Sequence, residues 1–137
     1  MQSLQPGVKD RDYRKLSYWH DSVPGSLSPR SKLENDLEVD IAIAGAGYTG
    51  LWTAYYLKQL KPTLSIAIIE SEIAGFGASG RNGGWCSSYL SGIENLLIDP
   101  GTTDAAIHLQ RMLFDTVKEV GRVAKLESVD CHFCWQS

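Results

Sequence analysis

The sequence predicts an α/β fold: a strand–helix–strand unit carrying an incomplete sheet, followed by a long helix. Three observations predict it. Two short apolar runs, 39–44 and 64–70, flank a helix-like stretch from about Tyr48 to Leu60. A glycine-rich turn, "GAGYTG", sits where the first run meets that helix. An apolar face then recurs at helical spacing between about Asp104 and Leu126.

Residues 1–36 come first, with Pro6, Pro24, Pro29 and scattered charges but no periodicity. They read as an irregular arm lying over the domain. Tyr13, Tyr18 and Trp19 read as ordinary, partly buried aromatics, with anchorage of the arm as the alternative. Val39 to Ala44 has almost nothing charged after Asp40, as in a parallel strand covered on both faces. In the helix that follows, Leu51, Ala54 and Leu57 form an inward stripe, and Lys61-Pro62 ends it, because a residue before proline is pushed out of the helical region. "LSIAIIE", 64–70, is the second buried strand. Strand, helix and strand within about thirty residues make a βαβ unit, whose crossover is right-handed almost without exception.

Beyond it, "WCSSYLSGIENLLIDPGT" is ambiguous and reads as loop with room for one helical turn. Thr103 suits the N-cap of the long helix, and Asp104 its positive end. Ile107, Leu113, Phe114, Val117, Val120 and Ala124 mark its apolar face, while Gly121 weakens the last turn by about 1 kcal/mol relative to alanine. Near the end, Phe133 and Trp135 have no helix or strand to receive them.

Composition narrows the function. With 43% hydrophobic and 21% charged residues in 137, the chain is one globular domain at most. A net charge of −3 with mixed signs lacks the basic face that nucleic acids require. No apolar run approaches the roughly twenty residues that span a bilayer, and "MQSLQPGVKDRDYRK" resembles neither a secretory nor a transit signal. A cytoplasmic location, with no nucleic-acid or membrane partner, is the expectation. Three cysteines, Cys86, Cys131 and Cys134, are too few and too odd in number for a disulfide framework. Cys131 and Cys134 have C-x-x-C spacing but no second pair, so they read as incidental cysteines and not as a zinc site. Cys86 reads as a small core residue, with flavin proximity as the alternative, and His20 and His108 as ordinary surface or core positions.

Gly45-Ala46-Gly47-Tyr48-Thr49-Gly50 fits G-x-G-x-x-G between a strand and a helix, the context in which that pattern points to a dinucleotide. Gly45 permits the tight turn, Gly47 lets a pyrophosphate approach the backbone, and Gly50 lets helix and strand pack closely. The helix N-terminus offers unsatisfied N–H groups and about half a positive charge. Glu70 ends the second strand twenty residues beyond Gly50, where an acid can bind adenosine ribose hydroxyls and would repel a 2′-phosphate.

Both NAD and FAD satisfy that pattern. A second cluster, "GFGASGRNGG" at 75–84, holds five of the thirteen glycines, and no good strand follows it. Its Ser79, Arg81 and Asn82 are donors of the kind that bind phosphate or ring carbonyl oxygens. "DIAIAGAGYTGLWTAYYL", "IIE" and "GFGASGRNGG" together resemble the FAD-dependent D-amino-acid-oxidase-like superfamily, within it the glycine/sarcosine oxidase and gamma-glutamylputrescine oxidoreductase branch. "SYWHDS" and "VDCHF" also resemble this branch, so the likeness covers about residues 13–137.

What the resemblance implies is a Rossmann-like FAD-binding domain whose second glycine cluster lies along the FAD pyrophosphate. The implied cofactor contacts are then Gly45 to Gly50, Glu70, Ser71, Gly77, Ser79, Gly80, Arg81, Asn82 and Gly83. The implied chemistry is oxidation of a C–N bond in a small amine or amino acid. Relatives are several-fold longer, so residues 37–137 are expected to be the N-terminal portion of such a domain, truncated before the substrate domain. That portion is expected to be inactive alone, to bind FAD poorly or not at all, and to contain no catalytic residue. The alternatives are a non-catalytic remnant or partner-binding fragment, and an NAD-binding Rossmann module.

Overall fold

The parallel pairing of two four-residue strands organises the chain. In the computed structural model, which describes residues 11–134, β1 (Ile41–Ala44) pairs with β2 (Ile66–Ile69) in the register Ile41↔Ile66 to Ala44↔Ile69. The ladder is clasped at its start. The Asp40 carboxylate accepts from the Ser65 amide at 2.8 Å and the Ser65 hydroxyl at 2.7 Å, and that hydroxyl accepts from the Asp40 amide at 2.9 Å. The clasp holds the Asp40 carboxyl below its usual value, chiefly through the Ser65 hydroxyl.

Between the strands runs α2 (Tyr48–Leu60), with the bounds the sequence indicates. It stops where Lys61 turns to φ −143°, as a residue before proline must. Lys58 then donates to the carbonyls of Pro62 and Leu64 at 2.5 and 3.0 Å, satisfying groups at the helix end. The inward stripe differs from expectation: Leu51 is 42% exposed, and the half-buried positions are Trp52, Ala54, Tyr55, Tyr56 and Leu57. Trp52 and Tyr56, one turn apart, stack with centroids 5.6 Å apart. The strands are also shorter than 39–44 and 64–70, and they are not covered on both faces. Ala42 and Ala44 are exposed and Ile69 is 46% exposed, because α2 covers only one side of the pair.

The arm is not irregular throughout. A 3-10 turn, Tyr13–Leu16, leads into a short helix, α1 (Tyr18–Ser22), each opened by a side-chain cap, from Asp12 and Ser17 respectively. Arg14 donates to the carbonyls of Asp21, Val23 and Gly25 at 2.7, 3.0 and 2.5 Å and so closes the end of α1. Tyr13 is buried and anchors the arm, its hydroxyl donating to Glu72 at 2.7 Å and its ring meeting Phe76 edge-on. Tyr18 is exposed. Pro6 lies outside the described residues.

The chain forms two compact units that meet in sequence at Gly83/Gly84. In the second, α3 (Ile93–Ile98) forms within the stretch read as loop, and α4 (Thr103–Leu126) packs against it. Thr103 is the first helical residue, not the cap. Its hydroxyl and that of Thr102 donate to carbonyls of Leu96, Leu97 and Asp99, so they close α3 instead of opening α4. Ala106, Leu113, Val117, Val120, Val123 and Ala124 turn inward on α4, whereas Ile107 and Phe114 are exposed. Gly121 does not end the helix. A Cβ there would lie 2.5 Å from the Phe133 ring, so the missing side chain makes room for that aromatic, which α4 does receive. Trp135 lies outside the described residues.

Close packing at Gly50 is testable. A Cβ at Gly50 would run into the Gly45 carbonyl oxygen and stand 3.2 Å from Ile43 Cγ2, whereas one at Gly77 would meet nothing within 4 Å. Gly50→Ala should lose about 1–3 kcal/mol in urea denaturation, and Gly77→Ala should stay within about 1 kcal/mol of wild type. Equal losses in the two variants would contradict this packing.

Candidate functional site

The register of the two strands decides where the glycine turn falls. One residue past the ladder, the Gly45 amide donates to the Ile69 carbonyl at 2.7 Å, and the next amide, Ala46, donates to Glu70 Oε2 at 2.9 Å. Gly45 takes φ +99°, which L side chains rarely adopt, and nothing lies within 4 Å of where its Cβ would be. The chain thereby swings off the strand and enters α2 at Tyr48.

Glu70 is held firmly at this junction. Its Oε1 accepts from the Glu72 amide at 3.2 Å and the Ser71 hydroxyl at 3.3 Å, while Oε2 is bound to Ala46. Its carboxyl lies below the ordinary value, chiefly through the Ala46 amide, with partial burial opposing. The carboxylate is therefore charged at neutral pH and fixed beside the turn. Ser71 acts here as a donor to Glu70, and its side chain is exposed.

The second glycine stretch returns to the same turn. The Gly75 amide donates to the Ala46 carbonyl at 2.9 Å, so buried Ala46 joins strand end, turn and loop. A 3-10 turn, Ala78–Gly80, then carries Ser79 to the mouth of α2, where its hydroxyl accepts from the Tyr48 amide at 2.9 Å. A Cβ at Gly47 would stand 2.9 Å from that same hydroxyl oxygen. Ser79 thus does for α2 what a capping residue would do, from 31 residues away; Gly47, at the cap position, has no side chain to do it. The first N–H groups of a helix have no intrahelical acceptor. Tyr48 has found one in Ser79, and among the described residues the amides of Gly47, Thr49 and Gly50 have none.

The remaining expected contacts are placed differently. The Arg81 guanidinium lies over the Phe76 ring, 4.5 Å from its centroid. Asn82 donates its amide to the carbonyls of Ser79 and Ala78 at 2.8 and 3.3 Å, closing its own turn. Gly77 and Gly83 have open space where a Cβ would be, while Gly80 is packed against the arm. Cys86 is exposed and is not a core residue; Cys131 and Cys134 are exposed as well. No group of three His, Cys, Asp or Glu side chains is arranged to hold a metal ion among the described residues. No helix there is long and apolar enough to cross a membrane. Sequence reading missed the Asp40–Ser65 clasp and the capping role of Ser79.

The held carboxylate has a pH signature. Its pKa is lower folded than unfolded, so its stabilisation is complete above the unfolded value and vanishes as pH falls through the folded one. Amide resonances of Ala46 and Glu72 should shift with a midpoint below about 4.3, the ordinary glutamate value, and Glu70→Gln should remove that step. A midpoint at or above the ordinary value would contradict the arrangement.

A glycine turn on a strand, unpartnered helix amides and an acid at the neighbouring strand end fit the adenylate end of a dinucleotide. Comparison with known proteins agrees. The model of the family described as FAD dependent oxidoreductase (DAO) matches residues 40–136. Gamma-glutamylputrescine oxidoreductase of Escherichia coli (strain K12) is 30% identical over 85% of this chain and 27% of its own length. A probable oxidoreductase, OrdL, of Haemophilus influenzae is 29% identical over 84% of this chain and 26% of its own. Thiamine thiazole synthase of Schizosaccharomyces pombe is 45% identical over 39% of this chain and 16% of its own. The chain thus spans about a quarter or less of the length of these relatives. No solved structure matches. A family match across most of the chain, on the segment that carries both glycine stretches, places it in the FAD-dependent oxidoreductase family.

Proposed function

We propose that residues 45–50, Glu70 and the 77–83 stretch hold FAD, and that the chemistry served is oxidation of a C–N bond in a small amine or amino acid. One observation carries the cofactor part: among the described residues the amides of Gly47, Thr49 and Gly50 have no partner at a helix mouth, beside a carboxylate fixed on Ala46. The pyrophosphate would sit on those amides, where the helix contributes about half a positive charge. Gly45 and Gly77 leave open space on the approach, and Ser79, whose oxygen accepts from the Tyr48 amide, would donate its hydroxyl proton to a phosphate oxygen.

Glu70 would take the adenosine ribose hydroxyls. Its three donors hold the charged form, and that charge disfavours a nucleotide bearing a 2′-phosphate. Ser71 is its neighbour in this role, and Gly80, Arg81, Asn82 and Gly83 follow the cofactor toward its ring. FAD held there would supply a hydride acceptor for the carbon next to the substrate nitrogen, and this chain's residues would bind and orient it. The amine class is supported by the relative named for gamma-glutamylputrescine.

We infer further that residues 37–137 form the cofactor-holding first portion of the family's domain, with residues 1–36 as its arm, and that this segment does not turn over amines alone. A two-stranded parallel sheet with one face exposed is not a sturdy platform. No residue in this segment is assigned a catalytic role.

Calorimetric titration of the chain with FAD, ADP and NADP tests the reading. FAD and ADP should bind weakly and with similar affinity, NADP several-fold more weakly, and Glu70→Ala should lose about 1.5–3 kcal/mol of FAD binding. The FAD-mixed chain should form no more peroxide with amines than FAD alone. Equal affinity for NADP, an unaffected Glu70→Ala variant or amine-dependent peroxide would each contradict the corresponding part.

A further inference from the structure

The second glycine stretch closes its own turn through the Gly80 and Arg81 amides and is tied to Ala46 through Gly75, and its Ser79 reaches the helix mouth to within hydrogen-bond distance. A further hold on it lies about sixty residues upstream, in the arm. The Ser17 hydroxyl donates to the Gly80 carbonyl at 2.6 Å, and the Trp19 indole N–H donates to the Asn82 carbonyl at 2.8 Å. These two carbonyls bracket Arg81, just past the turn that carries Ser79. His20, 5% exposed, packs against the loop so closely that a Cβ at Gly80 would lie 2.6 Å from its Cε1.

The chemistry of Ser17 fixes the state of His20. A hydroxyl has one proton, and here it goes to Gly80, so Ser17 can only accept from His20 Nδ1, 2.7 Å away. Nδ1 of the imidazole therefore carries a proton, and the Nε2 edge of the ring lies against Gly80. The His20 amide donates to the same hydroxyl at 3.3 Å. Ser17 thus caps α1, orients His20 and holds the loop with one oxygen. A second tie runs from Arg11 and Tyr13 to Glu72, whose amide donates to Glu70.

We propose that the arm is a clamp: Ser17, Trp19 and His20 are positioning residues that set the 77–83 loop so that Ser79 stands at the mouth of α2, and thereby set cofactor affinity. The loop-holding part rests on the hydrogen bonds above, and the affinity part rests on the FAD reading of the cradle.

Amide hydrogen exchange of the whole chain, read alongside FAD titration, tests both parts separately. Ser17→Ala and Trp19→Phe should each speed exchange of the Tyr48, Gly80 and Arg81 amides by about 3- to 10-fold, leaving the β1–β2 ladder amides unchanged. FAD affinity should fall by a comparable factor. His20→Ala should act like Ser17→Ala, and His20→Asn, which restores an N–H donor toward Ser17, should recover part of the protection; the half-exposed Trp19 site gives a variant that still folds if the buried one does not. Unchanged loop exchange in Ser17→Ala and Trp19→Phe would overturn the clamp. Faster loop exchange with unchanged FAD affinity would overturn its role toward the cofactor. A wild-type chain that does not bind FAD would instead sink the cradle reading, and the clamp would then stand or fall on exchange alone.

Discussion

The hydrogen bond from the Ala46 amide to the Glu70 carboxylate is the constraint on which the rest depends. It extends the parallel ladder past its last strand residues, after Gly45 has bonded Ile69. One side chain at the end of β2 thus fixes the turn at the end of β1. Because the Gly75 amide bonds the Ala46 carbonyl, the same residue also fixes where the second glycine stretch begins. Turn, helix mouth and the start of the loop are placed by one short relay and not by a large core; no side chain in the described chain is fully buried. Such an arrangement concentrates order where backbone groups must be presented, and leaves the flanks of the sheet open.

That distribution explains why glycine does different work at different positions. Gly45 is required by a positive φ, and Gly50 by the Gly45 carbonyl and Ile43 pressing on it. Gly80 is required by the Gly75 carbonyl and by His20. Gly77 and Gly83 are required by nothing among the described residues, since a Cβ there would meet open space. Open space at these two glycines leaves the backbone accessible, as the proposed path of the cofactor along this loop requires.

The elements governed by local chemistry were legible from sequence. The bounds of α2 follow from the glycine turn before it and Pro62 after it, and both signals act on adjacent backbone. Glu70 could be assigned to the junction because strand, turn and spacing are all local to the βαβ unit. The strands were read too long and too well covered, because an apolar run does not reveal how many layers are present to bury it. In the arm the sequence shows prolines and charges, while its order comes from bonds to Glu72, Gly80 and Asn82, about sixty residues away. Ser79 was recognised as a site residue but cast as a donor to a ligand. Its observed role, accepting from Tyr48, depends on a fold that brings two glycine stretches together. Thr103 and Gly121 were misread for the same reason: what each serves, the end of α3 and the Phe133 ring, is tertiary.

Placing the ligand on individual amides would test the cradle most directly. In an isotope-labelled sample of the chain titrated with FAD to millimolar concentration, the amide resonances of Gly47, Thr49 and Gly50 should move most, with Ala46 and Ser71 following and the residues beyond Gly84 unmoved. Saturable shifts centred on the mouth of α2 would establish that these amides receive the cofactor. Their absence there, with shifts elsewhere or none at all, would contradict the claim that this turn was shaped around a flavin nucleotide.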